Sequence, residues 1–145
     1  MAVERYETRW GTVFHRPTCK DDWKNIVTGV SKRKDGSAIP YTAMKLQEPA
    51  LKSIRAVEKD LSRPWKKFYV RVTGTHRTCE FQAQKYALDP RRYAPPNAGL
   101  HTHGLAIDVH TGFLSEKLRK SLLKHGWHQS RPVDEPWHFS FRLKA

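Results

Sequence analysis

Leu51, Ile54, Val57 and Leu61 recur at spacings of three and four between two prolines. That spacing places them on one stripe and predicts a helix over residues 48–63. Pro49 falls where a first-turn proline is tolerated, and Pro64 cannot continue the helix. Beyond it, "KFYVRVTG" (67–74) alternates aromatic or branched residues with polar ones, the signature of a strand. "TCEFQAQKYAL" (78–88) reads as a second helix, followed by the proline-rich loop "DPRRYAPPNAG". "GLAIDVH" (104–110) predicts a strand with Leu105, Ile107 and Val109 on one face and Gly104, Ala106 and Asp108 on the other. "SEKLRKSLLKHG" predicts a third helix, with Ser115 as N-cap and Gly126 as the stop. "EPWHFSFRL" closes the chain as a strand that sorts Phe139 and Phe141 to one face and His138 and Ser140 to the other. This alternation of helix and strand predicts an α+β fold: a small, mainly antiparallel sheet with flanking helices. Residues 1–42 are less patterned. "WGTVF" predicts a short strand and "VTGVSKRKDGSAIP" turn and loop, so residues 1–42 read as an N-terminal extension, either an arm or a layer over the core, and residues 43–145 as the main domain.

Composition narrows this picture. The 145 residues suffice for one modest core, and five Trp, five Tyr and six Phe argue against disorder. No run of about 18 apolar residues is present, so no membrane span is expected. The first ten residues carry charges and a Trp where an export signal would need an apolar stretch, so no signal peptide is read. The formal net charge of +13 implies an anionic partner such as nucleic acid, anionic lipid or a bacterial cell wall. The basic residues are spread along the chain, so a solvated basic surface is an equal alternative. Cys19 and Cys79 are the two cysteines; a four-cysteine metal site is excluded, and two free thiols are expected.

The chemistry gathers around "GLHTHGLAIDVH", residues 99–110. Asp108 shares its predicted face with two very small residues, which leaves room for a ligand. His101 sits at the strand entrance, and His138 opens the last strand beside the small Ser140. If those strands are neighbours, His101, Asp108 and His138 converge. Two imidazoles and one carboxylate are a three-ligand set for catalytic zinc, with the fourth position left to water. Glu135 precedes His138 by three residues, and Pro136 keeps the pair out of a helix interior. Its carboxylate is a candidate acceptor for the water proton. Each residue taken singly has a blander reading as a surface histidine, a turn cap or a solvated carboxylate.

The string "HTHGLAID" resembles the H-x-x-G-x-A-x-D signature of zinc D-alanyl-D-alanine carboxypeptidases, and "EPWHF" resembles their closing element. These enzymes belong to a larger group that includes lysostaphin-type peptidases and the hedgehog signalling domain. "VTGTHRT" is similar to the family's S-G-Y-R-S segment, which carries a substrate-binding arginine. The likeness runs from about residue 43 to 142. It implies that His101, Asp108 and His138 bind one Zn2+, that Glu135 is the general base, and that Arg77 binds a substrate carboxylate or carbonyl. An arginine fork suits either role. Without the resemblance, Arg77 reads as a surface charge at a helix N-terminus. Three departures stand out: Gly99 replaces a serine, His103 replaces a small polar residue, and the segment from Asp108 to Glu135 is short. His103 is a candidate outer contact or substrate contact and not a ligand.

The reading that follows is a zinc metallopeptidase cutting D-amino-acid amides in peptidoglycan stem or cross-link peptides. Lacking an export signal, it is expected to be a bacteriophage lysin or virion-associated enzyme. It would reside in the infected cell's cytoplasm or the virion and act in the wall, with residues 1–42 available to phage tail or other virion proteins. Nucleic acid is not an expected partner. A metal-dependent nuclease and a non-catalytic wall-binding or structural module are the alternatives. A nuclease would show strongly salt-dependent binding.

Overall fold

The computed structural model describes residues 3–96 and 98–143. In chain order the elements are β1 (Glu4–Thr8), β2 (Gly11–His15), β3 (Ile26–Gly29), β4 (Met44–Gln47), α1 (Glu48–Leu61), β5 (Val72–Gly74), α2 (Cys79–Leu88), β6 (Ala106–Val109), α3 (Glu116–Lys124), β7 (Trp127–His128) and β8 (His138–Phe141). The main sheet has the order β5-β6-β8-β7, every pair antiparallel. Two hairpin-like pairs, β1-β2 and β3-β4, stand outside it. The expected α+β class, with a small antiparallel sheet and three flanking helices, is what forms.

The core lies between α1, α3 and one face of this sheet. Ile54 and Val57 from α1, Leu118 and Leu122 from α3, and Ile107, Val109, Phe139 and Phe141 from the sheet are all closed to water. Each such side chain contributes roughly 1.5–3 kcal/mol through burial. Leu51 and Leu61 of the expected stripe pack at its edge, and Ala50 and Ser53 take buried places beside them. Ser115 caps α3 by accepting from the Leu118 N–H, and Gly126 follows its end at φ +100°.

Three expectations need correction. The strand expected over 67–74 is confined to Val72–Gly74. Upstream, the backbone is bonded to the end of α1 instead: Val70 N–H donates to Glu58 Oε2 (2.9 Å) and Phe68 N–H to Ser62 Oγ (2.8 Å). β1, β3, β4 and β7 form where no strand was read. Met44 and Leu46 do alternate, but the run lasts four residues before α1 begins. Cys19 and Cys79 are not free thiols. They form a disulfide across 60 residues, with Cα atoms 5.9 Å apart, a proximity invisible to the sequence.

The described part of residues 1–42 is tied into the rest of the chain. Val13 joins the main core, and β3 pairs along β4. Gln47 is the hub: its side-chain amide donates to the carbonyls of Phe14 (2.7 Å) and His103 (2.8 Å), while its Oε1 accepts from Phe14 N–H (2.9 Å). The backbone before the main sheet is thereby fixed against the turn that carries His101. Among the described residues, no helix is long and apolar enough to cross a membrane.

Candidate metal centre

β6 and β8 pair so that Asp108 lies directly opposite His138 and Ala106 opposite Ser140. Period-two alternation then puts the core residues of both strands on one side and these polar groups on the other. His101 comes from a single 3-10 turn, His101–His103, just before β6. The three side chains meet: His138 Nδ1 is 2.9 Å and His101 Nε2 3.3 Å from the same Asp108 Oδ1. One ligand-capable atom from each of the three lies within 4.8 Å of the others.

The hydrogen-bond partners fix which nitrogen faces the centre. His101 Nδ1 is 2.7 Å from the Thr75 carbonyl, an acceptor only, so that nitrogen carries the proton. In the neutral ring Nε2 is then a lone pair, and it faces a carboxylate oxygen that also has no proton. Two acceptors at 3.3 Å need a positive centre between them, a proton or a metal ion. The far nitrogen of His138 has Ser140 Oγ at 3.2 Å. Imidazoles held from behind by a carbonyl and a hydroxyl are oriented as metal-ligating histidines are. Burial alone would push the pKa of Asp108 up. Hydrogen bonds from His101 and His138, and then their charges, outweigh it and hold the carboxyl well below the usual range. The carboxylate is thus ionised, as a ligand must be. The donor set fits a zinc-class ion with one position open.

The outer oxygen of the same carboxylate is held by Arg77: Nη2 donates to Asp108 Oδ2 at 2.9 Å. Gln82, buried on α2, stands behind it, with its Oε1 3.4 Å from Arg77 Nη1 and its Nε2 donating to the Ala94 carbonyl (2.8 Å). Gly74 is opposite Asp108 in the register, and a Cβ there would come 3.3 Å from Asp108 Oδ2. Arg77 therefore reaches both the carboxylate and the cleft.

Glu135 lies in a turn, its N–H bonded to the Arg131 carbonyl (2.9 Å) and its carbonyl accepting from His138 N–H (3.0 Å). Its half-buried carboxylate takes Arg131 Nη1 at 3.2 Å. His101, Asp108, His138, Glu135 and Arg77 all line one cleft of about 620 Å3, walled by Trp137, Tyr86 and Tyr93 and edged by Arg91, Arg92 and Arg131.

Two neighbouring residues do not behave as the pattern suggested. Gly104 does not share a strand face with Asp108. It ends the 3-10 turn at φ +65°, and a Cβ there would meet Ile26 at 3.0 Å and the Gln47 nitrogen at 3.1 Å. Its smallness serves the turn and the contact with β3 and β4, not space for a ligand. His103 turns away from the cleft. It is buried, stacked on His15 (4.4 Å) and edge-on to Trp23, with its ring nitrogens 3.0 Å from the Gly99 and Arg16 carbonyls. Sequence reasoning missed Thr75, Gly74, Gln82 and Arg131. Only Arg131, four residues before Glu135, left a visible signal.

No family model matches the chain, and no curated protein matches it. Among solved structures it is similar to an LdcB LD-carboxypeptidase described for peptidoglycan recognition. They share 16% identity over 84% of this chain and 71% of that one, with a TM-score of 0.51. It also aligns with VanYB in complex with D-alanine-D-alanine (17% identity, 89% and 84% coverage, TM-score 0.43). A further match is the vancomycin-resistance D,D-pentapeptidase VanY in complex with Zn(II) (17% identity, 89% and 85% coverage, TM-score 0.43). At these identities the likeness is one of fold.

Proposed function

We propose that the protein is a metal-dependent peptidase that hydrolyses amide bonds involving D-amino acids in peptidoglycan stem or cross-link peptides. The observation that carries this reading is the convergence of His101 Nε2, Asp108 Oδ1 and His138 Nδ1 at one wall of an open cleft. The three would hold one zinc ion, which supplies an electrophilic centre able to acidify water and polarise a carbonyl.

The chain's own residues supply the rest. Glu135 accepts the proton of the attacking water and delivers it to the leaving amine. Arg77 has one amino group engaged by Asp108 and offers its remaining donors to a substrate carboxylate or to the developing oxyanion. Thr75 and Ser140 keep the histidine rings in register throughout. Arg91, Arg92 and Arg131 give the cleft mouth a cationic edge suited to peptides with free carboxylates, and Trp137, Tyr86 and Tyr93 offer aromatic surface beside them. The net charge of +13 favours approach to an anionic wall. In the same reading the protein is a wall-cutting enzyme of a bacteriophage, released at lysis or carried on the virion.

The test is digestion of purified peptidoglycan and of a short peptide ending in D-Ala-D-Ala, with the products identified by mass spectrometry. Wild type is run beside Glu135→Ala, with zinc content measured for both. Release of D-Ala by the wild type establishes a carboxypeptidase, and new internal amine ends in the polymer establish an endopeptidase. Glu135→Ala should keep its zinc and lose roughly 100-fold or more in rate, the scale of a positioned acid-base group. A wild type that holds zinc and cuts neither substrate overturns the reading.

A further inference from the structure

The strands that carry the metal centre also give it two ends. Asp108 lies opposite His138 on β8 and Gly74 on β5. Toward one end of these strands lie Ser140, His101 and Arg77, whose N–H donates to the His101 carbonyl (3.0 Å); the large cleft opens there. Toward the other end, Val109 lies opposite Val72 and its N–H donates to the Trp137 carbonyl (2.8 Å). A second hollow of about 250 Å3 opens at that end, lined by Thr73, Val109, His110, Thr111 and Trp137. Trp137 borders both hollows, so they adjoin across one side chain. His110 connects the second hollow to a row of exposed aromatics. Its ring meets Tyr41 edge-on (4.4 Å) and Phe113 edge-on (5.1 Å), and the Arg71 guanidinium lies over Phe113 (4.6 Å). Tyr41 and Phe113 remain 52% and 43% exposed. Tyr41 is also the one non-glycine residue with a positive φ, +64°, among the described residues. A bulky residue is strained there, and a ring half in water does not repay that strain through burial; such strain collects where ligands are clamped.

We propose that the two hollows form one substrate groove with the metal centre between its ends. The second hollow binds peptide on the far side of the scissile bond, so the enzyme cuts inside a cross-linked peptide and not at a C-terminal residue. This rests on the reading of the cleft as a peptidase site. Removing a terminal residue needs space for that residue alone on one side of the metal. Here the groove continues past Trp137 on one side and toward Arg77 on the other. The occupant is peptide because the hollow begins close to the centre. His110 stands two residues past Asp108, about 7 Å of extended chain, where the next residues of a bound peptide must lie. The lining suits backbone amides: Thr73 and Thr111 offer hydroxyls, and His110 Nδ1 accepts from the Gly112 N–H (3.0 Å), which leaves Nε2–H as the donor of the neutral ring. Hydrolysis breaks the amide C–N bond, sends the hydroxyl of water to the carbonyl carbon and its proton to the amine, and leaves a peptide in each half of the groove.

The experiment compares two sugar-free substrates on the full zinc-loaded chain: a short peptide ending in D-Ala-D-Ala and a cross-linked dimer of stem peptides. The wild type should cut the dimer at an internal amide with a kcat/KM about tenfold or more above that for D-Ala release. Thr111→Trp, which fills the second hollow, and His110→Ala should each lower kcat/KM for the dimer by roughly tenfold, the scale of losing one anchor of an interface. Zinc content, circular dichroism and the rate on the short peptide should not change. Tyr41→Gly suits the φ of +64° and removes only the ring, so it should weaken the dimer while the fold is kept. Zinc-loaded Glu135→Ala should bind the dimer more tightly than the short peptide by calorimetry, a difference that needs no change in the second hollow. D-Ala as the sole product, or equal losses on both substrates in Thr111→Trp and His110→Ala, overturns the proposal and leaves the peptidase reading standing. A preference for the dimer that appears only when its disaccharides are attached also overturns it, since sugar would then fill the hollow. A zinc-loaded wild type that cuts neither substrate overturns the peptidase reading and this proposal with it.

Discussion

On one face of β6 and β8, Ile107, Phe139 and Phe141 are sealed from water. On the other, at the adjacent position of each strand, Asp108 and His138 line an open cleft. The two faces share a backbone and a register yet obey different physics. The apolar face gains stability from area removed from water, which is non-directional and roughly additive. The polar face is organised by hydrogen bonding: each of Thr75, Ser140 and Arg77 holds one ligand group from behind, so that two ring nitrogens and a carboxylate oxygen point at one another. Two ring nitrogens converging on one ionised carboxylate oxygen make a place for a cation, a proton or a metal ion. The strand pair thus separates what holds the fold from what does the chemistry.

The sharpest way to break that separation is to strike each face once. Phe139→Ala removes a fully buried ring and should cost about 3–5 kcal/mol of unfolding free energy, read from urea titrations. Metal affinity of the fraction still folded should not change. His138→Ala should show the inverse pattern: no zinc bound at the cleft by calorimetry on the oxidised protein, with metal-free stability within about 1 kcal/mol of wild type. Metal binding that survives His138→Ala would place the ligand set elsewhere.

The two faces were also unequally legible in the sequence. Phe139 and Phe141 alternating with His138 and Ser140 announced β8 and both of its faces, because strand periodicity is local. His103 defeated the same reasoning. It shares a 3-10 turn with His101, so the two rings diverge, that of His101 to the centre and that of His103 to His15 and Trp23. Gly104 misled for the same reason, since its left-handed φ was not read. The N-terminal layer was the least legible part: β3 and the Cys19–Cys79 link depend on partners 15 to 60 residues away. The outer contacts of the centre come from a backbone carbonyl at Thr75 and a missing side chain at Gly74, neither of which leaves a residue-type signal.

Acid should act on both faces through groups that belong to neither. Burial, the leading cause at each, holds His76, His103 and His125 below the ordinary imidazole value of 6.5. As pH falls below about 6.5, unfolded rings take up protons that the folded rings refuse, so the unfolded state binds more protons and stability decreases. The loss begins near the unfolded value and continues toward the lowered folded ones. For each ring, every tenfold drop in proton affinity on folding corresponds to a loss of about 1.4 kcal/mol once the pH lies below both values. Urea midpoints for the metal-free protein at pH 7.5 and 5.5 should therefore differ, the acidic one being lower. Equal midpoints would mean that these rings charge freely in the folded state. Metal binding should also weaken in acid for a separate reason, since ligand groups must give up their protons to bind the ion.

The smallest expected effect on stability is also the most informative about the cleft. Arg131 meets Glu135 at 3.2 Å, with the two side chains 44% and 22% exposed. A pair this open to water contributes at most about 1 kcal/mol, so Arg131→Gln should leave the unfolding midpoint almost unmoved. Its consequence for turnover depends on what places the Glu135 carboxylate. The turn already fixes the Glu135 backbone through bonds to the Arg131 carbonyl and the His138 N–H. The backbone leaves the side chain free to rotate, and the guanidinium is what draws one oxygen toward the cleft edge. If the guanidinium positions the carboxylate, Arg131→Gln lowers kcat while KM for an uncharged peptide stays the same, and Arg131→Lys restores part of the rate. If kcat is unchanged and KM rises only for peptides with free carboxylates, Arg131 acts on the substrate as part of the cationic edge with Arg91 and Arg92, and the turn alone aims Glu135.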